Sequence, residues 1–407
     1  MRPSLRIVFS LLFICSPAFA AEADPAKLKP TTEQIFKAEQ LAAKLGSEIF
    51  LERDTASREL AAMGRVALGV IDRVLAETDD AEVRSRCEAL RPVMAEEDLK
   101  ARLDAFIADA DGKFDHKLPA WDKFKGVVGS TAATRTLFAQ MYESAPTAKL
   151  LTASVGPKED FTPLVVARRM EIYNRIYGRT NFNGINRING NIERVPPSTI
   201  DVAGLLFAEG LMGSSTDRRY SYAINTMLQQ ASVKETLTDE VKGATLRKLF
   251  ANWCETRTDP NEIYTAMTTA TNLDLKDVPA SKYAIKVLEA KTMTPFYKAY
   301  AMTTLAKSGK DQLPILLKQF DDKTVINTAF VNANGQVEKL EMQLRDVALA
   351  MAVLVTDQKT EDYGFNARAT TVNTKFTYNN YRLPSEEKRT EAFKKWDEYL
   401  KANPLKK

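Results

Sequence analysis

Gly46-Ser-Glu-Ile-Phe-Leu-Glu-Arg-Asp-Thr-Ala-Ser-Arg-Glu-Leu-Ala-Ala-Met-Gly64, Arg65-Val-Ala-Leu-Gly-Val-Ile-Asp-Arg-Val-Leu-Ala-Glu-Thr78 and Asp79-Asp-Ala-Glu-Val-Arg-Ser-Arg-Cys-Glu-Ala-Leu-Arg-Pro-Val-Met-Ala95 follow one another without a gap. The first shows Ala56, Leu60 and Met63 at helical spacing and ends on Gly64. The second carries Ala67, Val70, Ile71, Val74 and Leu75 on one stripe. The third is capped by Asp79 or Asp80 and aligns Val83, Cys87, Leu90 and Met94. Each stripe covers about a third of its helix, so no helix buries its face alone. Stacking against neighbours is the physical solution, and repeated stacking gives a solenoid.

Phe50-x-x-Arg53-x-x-Ala56-Ser-Arg58-Glu59-Leu60-x-x-x-Gly64, followed by an apolar helix and Asp80-x-x-Val83-Arg84, resembles a HEAT-type repeat. Leu118-Pro-Ala-Trp121 leading into a helix pair, and Tyr363-Gly-Phe365 closing a late helix, resemble exported bacterial HEAT-like proteins. The resemblance implies an all-α fold, an α-solenoid of HEAT-like helical repeats; because repeat folds host unrelated tasks, it does not itself set the function.

The helical pattern starts at Thr31 or Thr32, which can cap a helix to Leu45, and continues from Asp98 to Ala110. Residues 163–177 form another helix. Asn181, Asn183, Asn186, Asn189 and Asn191, with Gly184, Gly190, Pro196 and Pro197, then mark a long surface loop over 180–197. Asp201 to Leu211 is apolar along most of its length and is expected to be central. Thr294-Pro295 pairs a capping hydroxyl with proline at the first helical position. Asn334-Gly335 lies between Thr324–Asn332 and Gln336–Leu344, a signal for one β-hairpin insertion near 324–344. Arg345 to Leu354 is almost wholly apolar and is expected to be covered on most sides. Phe393, Trp396 and Leu400 are expected to staple the last helix to the array. The organisation expected is a signal peptide at 1–20, N-terminal repeats at 21–112, a helical linker region with the Asn-rich loop at 113–200, and a C-terminal helical repeat domain at 201–407.

The leader reading rests on Arg2 and Arg6, a short apolar run from Ile7 to Cys15, and Ala18-Phe19-Ala20 before Ala21. Ile14 occupies the place where a lipidated Cys15 would want a small residue. The remaining chain has 55 basic and 53 acidic residues, a balance that argues against a nucleic-acid partner. No later stretch reaches about 18 uncharged apolar residues, so no membrane span is expected. Periplasmic or extracellular localisation follows from the leader. Cys87 and Cys254 fall on apolar faces and are expected to be free and buried.

No catalytic, cofactor-binding or metal residue is assigned. His116, the only histidine, lies in Asp115-His116-Lys117, a polar turn that reads as exposed surface. Glu96-Glu97-Asp98 and Glu386-Glu387 read as dipole-complementing helix starts. Arg168-Arg169 and Arg218-Arg219 read as solvated pairs. Trp121, Trp253 and Trp396 suit core packing, while Phe376, Tyr378 and Tyr381 are candidates for a recognition surface. The expected function is a non-catalytic, exported interaction scaffold with protein partners and no cofactor. The alternative is a cell-envelope or wall-associated hydrolase using dispersed carboxylates. A self-associating envelope component would show a large exposed apolar patch.

Overall fold

The computed structural model describes residues 22–178, 187–188, 191–192, 194–214, 222–275, 277–333, 336–365 and 375–404. The leader expected at 1–20, the Arg218-Arg219 pair, the Asn334-Gly335 turn and most of the Asn-rich segment lie outside these residues. The described chain is all-α, built from packed helical repeats, with one long β-hairpin and one two-residue strand pair inserted. It divides into two compact units, one comprising the residues up to Leu118 together with Ser130–Ala139, the other Pro119–Gly129 and the chain from Gln140 onward.

The first unit opens with α1 (Thr32–Ala43), where Thr31 and Gln34 form a reciprocal capping box. Then come α2 (Phe50–Met63), α3 (Leu68–Glu77) and α4 (Ala81–Ala108). Asp80 caps α4, accepting the N–H groups of Glu82 and Val83 at 2.8 and 3.1 Å. The expected stripes meet in one core containing Leu41, Ala56, Leu60, Val70, Ile71, Val83, Cys87 and Met94. One expectation is corrected: Glu96-Glu97-Asp98 lies inside α4, which runs unbroken through Pro92 for 28 residues. Proline there removes one N–H, and the surrounding good helix formers carry the helix past it. Glu97 instead accepts the N–H of Arg65 at 3.1 Å.

The second unit contains α5 (Trp121–Val128), the end of α6 (Ala132–Glu143), α7 (Ala145–Ala153) and α8 (Lys158–Tyr177). A two-residue antiparallel pair, β1 (Arg187–Ile188) and β2 (Asn191–Ile192), sits within the Asn-rich segment. The central helix α9 (Thr199–Met212) begins on a Ser198/Asp201 capping box and is buried along most of its length. Gly204 and Gly210 let neighbours come close. A β-carbon at Gly204 would lie 2.3 Å from Thr147 of α7, and one at Gly210 would lie 2.4 Å from Asn252.

The chain continues through α10 (Ala223–Leu228), α11 (Ala231–Thr238), α12 (Ala244–Glu255), α13 (Pro260–Leu273), α14 (Ala280–Glu289), α15 (Pro295–Lys307) and α16 (Leu313–Leu317). Thr294 caps α15 with proline at its first position, as expected. The hairpin joins β3 (Val325–Ala333) to β4 (Gln336–Gln343), with Ala333 opposite Gln336 and a bulge near Val325. Leu344, expected on the strand, already starts α17 (Leu344–Val355), whose side chains are nearly all buried. The closing helix α18 (Glu386–Ala402) is fixed to α17 by Arg389, whose Nε and Nη2 donate to the two oxygens of Asp346 at 2.7 and 2.9 Å. Trp396 is buried beneath it, as the sequence suggests.

Gly64 has a test of its own. Its φ of +56° disfavours a side chain, and a β-carbon would meet Glu97 Oε2 at 2.2 Å. Gly64→Ala is expected to destabilise the protein by more than about 1 kcal/mol. A urea titration checks this; an unchanged midpoint would show that the α2–α4 contact yields without cost.

Candidate functional site

Several residues occupy different surroundings from those expected. His116 is not exposed: it is 8% accessible, edge-on to Phe106, with Nε2 3.1 Å from Asp109 Oδ2. The reason is local. Asp109 follows the end of α4 and gathers the N–H groups of Lys113 and Phe114 at 2.8 and 3.0 Å, folding the loop so that His116 turns inward. Arg135 stacks over Phe106 and lies 3.9 Å from the same carboxylate. Burial would raise the Asp109 carboxyl, but Phe114, Lys113, His116 and Arg135 outweigh it and hold the group below the usual carboxylate range.

Arg168 and Arg169 are buried, not solvated. Arg168 pairs with Asp201 and, at 2.6 Å, with Glu171; Arg175 reaches the other Asp201 oxygen at 2.9 Å. Tyr378 and Tyr381 are core residues and Phe376 is half-buried, so the recognition surface expected there is corrected. The loop residues around them supply hydrogen bonds that permit burial, as when Tyr381 donates to the Lys375 carbonyl at 2.5 Å. Cys87 and Cys254 are both free and buried, as expected. Glu386 does open α18, where it pairs with Arg389 and, at 3.0 Å, with Arg345.

The densest set of buried charge was not singled out in the sequence. Glu209 projects from apolar α9 and is 0% accessible. Trp253 of α12 donates its indole N–H to Glu209 Oε2 at 2.7 Å. Arg169 of α8 approaches Oε1 at 3.5 Å. Arg257, just beyond α12, donates from Nη2 to the Glu209 carbonyl at 2.6 Å and stacks on the Trp253 ring. Arg257 Nη1 lies 4.0 Å from Glu209 Oε2 and 3.7 Å from Oε2 of Glu262 on α13, which is 3% accessible. Burial raises the Glu262 carboxyl above its ordinary value despite Arg257, and burial lowers the Arg257 guanidinium despite both acids. The one sequence signal was a lone glutamate within the apolar run Val202–Met212.

Two carboxylates converging on one arginine resemble the raw material of acid–base chemistry. Here each is enclosed and ion-paired, so neither meets solvent. In one open depression of about 470 Å³ the arginine is used structurally: Arg247 spends its donors on Asp277 at 2.7 Å and on the carbonyls of Leu237, Asp239 and Glu240 at 2.6–2.9 Å. Among the described residues, no group of three or more His, Cys, Asp or Glu side chains is arranged to hold a metal ion. No described helix is long and apolar enough to cross a membrane.

The first unit carries a different feature. Ile49, Phe50 and Leu51, at the head of α2, are 58, 64 and 67% exposed, and Phe36 of α1 is 59% exposed. Arg53 and Arg86 lie about 6 Å from the Phe50 ring. Comparison of the chain with known protein families, curated proteins and solved structures returns no match.

Two outcomes test these arrangements. Glu209→Gln leaves two buried guanidinium groups short of their anion and is expected to cost about 3–5 kcal/mol in guanidinium denaturation; a loss within about 0.5 kcal/mol would contradict the network. Asp109, held low, stabilises fully above the unfolded carboxylate value of about 3.9, and that stabilisation is lost as pH falls through its lower folded value. The stability gap between the protein and Asp109→Asn should therefore be wide at pH 7 and narrow toward pH 3. A gap independent of pH would contradict the assignment.

Proposed function

We propose that this chain is an exported HEAT-like scaffold of the periplasm or extracellular space, acting by binding protein partners and not by catalysis. The observation that carries the reading is the apolar run Ile49-Phe50-Leu51, exposed on the first helix pair. Three consecutive large apolar side chains in water forfeit hydrophobic stabilisation that burial would supply, roughly 1.5–3 kcal/mol for each. A helical array needs a polar outer face at its ends to stay apart from other proteins. This one presents an aromatic and two aliphatics beside cationic side chains, the composition of a protein-binding hot spot. The buried state of Glu209 and Glu262 supports the same reading, since a hydrolase needs its carboxylates to reach substrate.

The test replaces Ile49, Phe50 and Leu51 together with serine. The three side chains touch little of the core, so the melting temperature is expected to stay within about 2 °C. Chemical crosslinking in the envelope fraction of the source cell is expected to trap a discrete partner with the unaltered protein and to lose it with the variant. Equal trapping by both would reject this surface. Turnover of a wall polymer that disappears in Glu262→Gln would favour the hydrolase instead.

A further inference from the structure

The second unit holds an uncharged aromatic surface that the scaffold reading does not use. Tyr264 of α13 stacks on Tyr297 of α15, with ring centroids 3.8 Å apart and planes 18° apart. Tyr300, one turn further along α15, meets Tyr264 edge-on at 5.9 Å. Phe296 lies edge-on to Tyr297 and to the buried Tyr378, at 5.7 and 5.8 Å, and is 48% exposed. The three tyrosines are half-buried. Burial, with the neighbouring tyrosines, pushes the Tyr264 phenol up to about 12, so it remains an O–H donor at any physiological pH.

Charge is scarce around them. Within α13 the only charged residue is Glu262, buried in the Arg257 network, and within α15 there are two, Lys298 and the terminal Lys307. The remaining polar groups are threonines and asparagines. The hydroxyls of Tyr264, Tyr297 and Tyr300 make no hydrogen bond with any described residue, although each phenol can both donate and accept.

This chemistry selects among occupants. A cationic ligand finds no exposed acid on α13 or α15, and an acidic one finds a single lysine, Lys298, in the turn that carries Tyr297 and Tyr300. An apolar helix would cover three hydroxyls without pairing them and leave each one desolvated and unsatisfied. A sugar presents an apolar C–H face to a ring and hydroxyls at its edge, and so satisfies both halves of the surface at once. We propose that Tyr264, Phe296, Tyr297 and Tyr300 form a binding subsite for a neutral oligosaccharide chain. Phe296 supplies the open ring face, and the tyrosine hydroxyls pair with the sugar hydroxyls.

The experiment is isothermal titration of the full chain with cellohexaose, maltohexaose and chitohexaose, beside an acidic hexagalacturonate and a proline decapeptide. At least one neutral hexasaccharide is expected to saturate the protein. Phe296→Ala, which removes the exposed ring, is expected to weaken it about tenfold. Tyr264→Phe with Tyr300→Phe keeps the packing and removes two hydroxyls; it is also expected to weaken binding, with an unchanged melting temperature. The proposal is overturned if no neutral sugar binds, if only the acidic sugar or the peptide binds, or if both variants bind as the parent does.

Discussion

A carboxylate sits in the last turn of α9, an apolar helix buried along most of its length. Glu209 of α9 is enclosed, and an unpaired charge there would cost more than any single helix contact returns. Its compensation comes from Arg169 on α8, Trp253 and Arg257 at the end of α12, and Glu262 on α13 through Arg257. Four helices therefore meet in one arrangement. Apolar stripes alone tolerate sliding and rotation, whereas a charge with named partners does not. Buried ion pairs add little net stability over apolar replacements; their effect here is to select which helices meet and in what register.

The same device recurs at smaller scale. Asp346 caps α17 and receives a two-pronged Arg389 from α18. Arg247 closes the end of α11 through three carbonyls. Asp109 folds the loop after α4 by collecting two backbone N–H groups and His116. In each case the polar group is consumed by the fold.

The helices were legible because their signals are local: Thr31, Asp80, Thr294-Pro295 and the regular stripes each act within a few residues. The hairpin was legible from two extended runs flanking Asn334-Gly335. The helix start expected at Glu96-Glu97-Asp98 was a misreading: clustered acids complement a helix dipole at its start, but here they lie inside α4. The burial of His116, Arg168, Arg169, Tyr378 and Tyr381 was not legible. A polar side chain enters a core only when a partner meets it. That partner is far off for Arg168, 33 residues away at Asp201, and for His116 and Tyr381 it lies seven and six residues away, in loops whose turns carry no apolar period. The exposed apolar head of α2 was hidden for the converse reason: Ile49-Phe50-Leu51 reads as core material, and only the fold shows that the described residues leave it more than half exposed.

Native-state hydrogen exchange tests the central claim, that one buried network fixes four helices together. Glu209→Gln, compared with the parent under conditions where both are folded, should raise exchange coordinately in α8, α9, α12 and α13 and leave α17 and α18 at their parent rates. A rise confined to α9, or an equal rise throughout the second unit, would contradict the account.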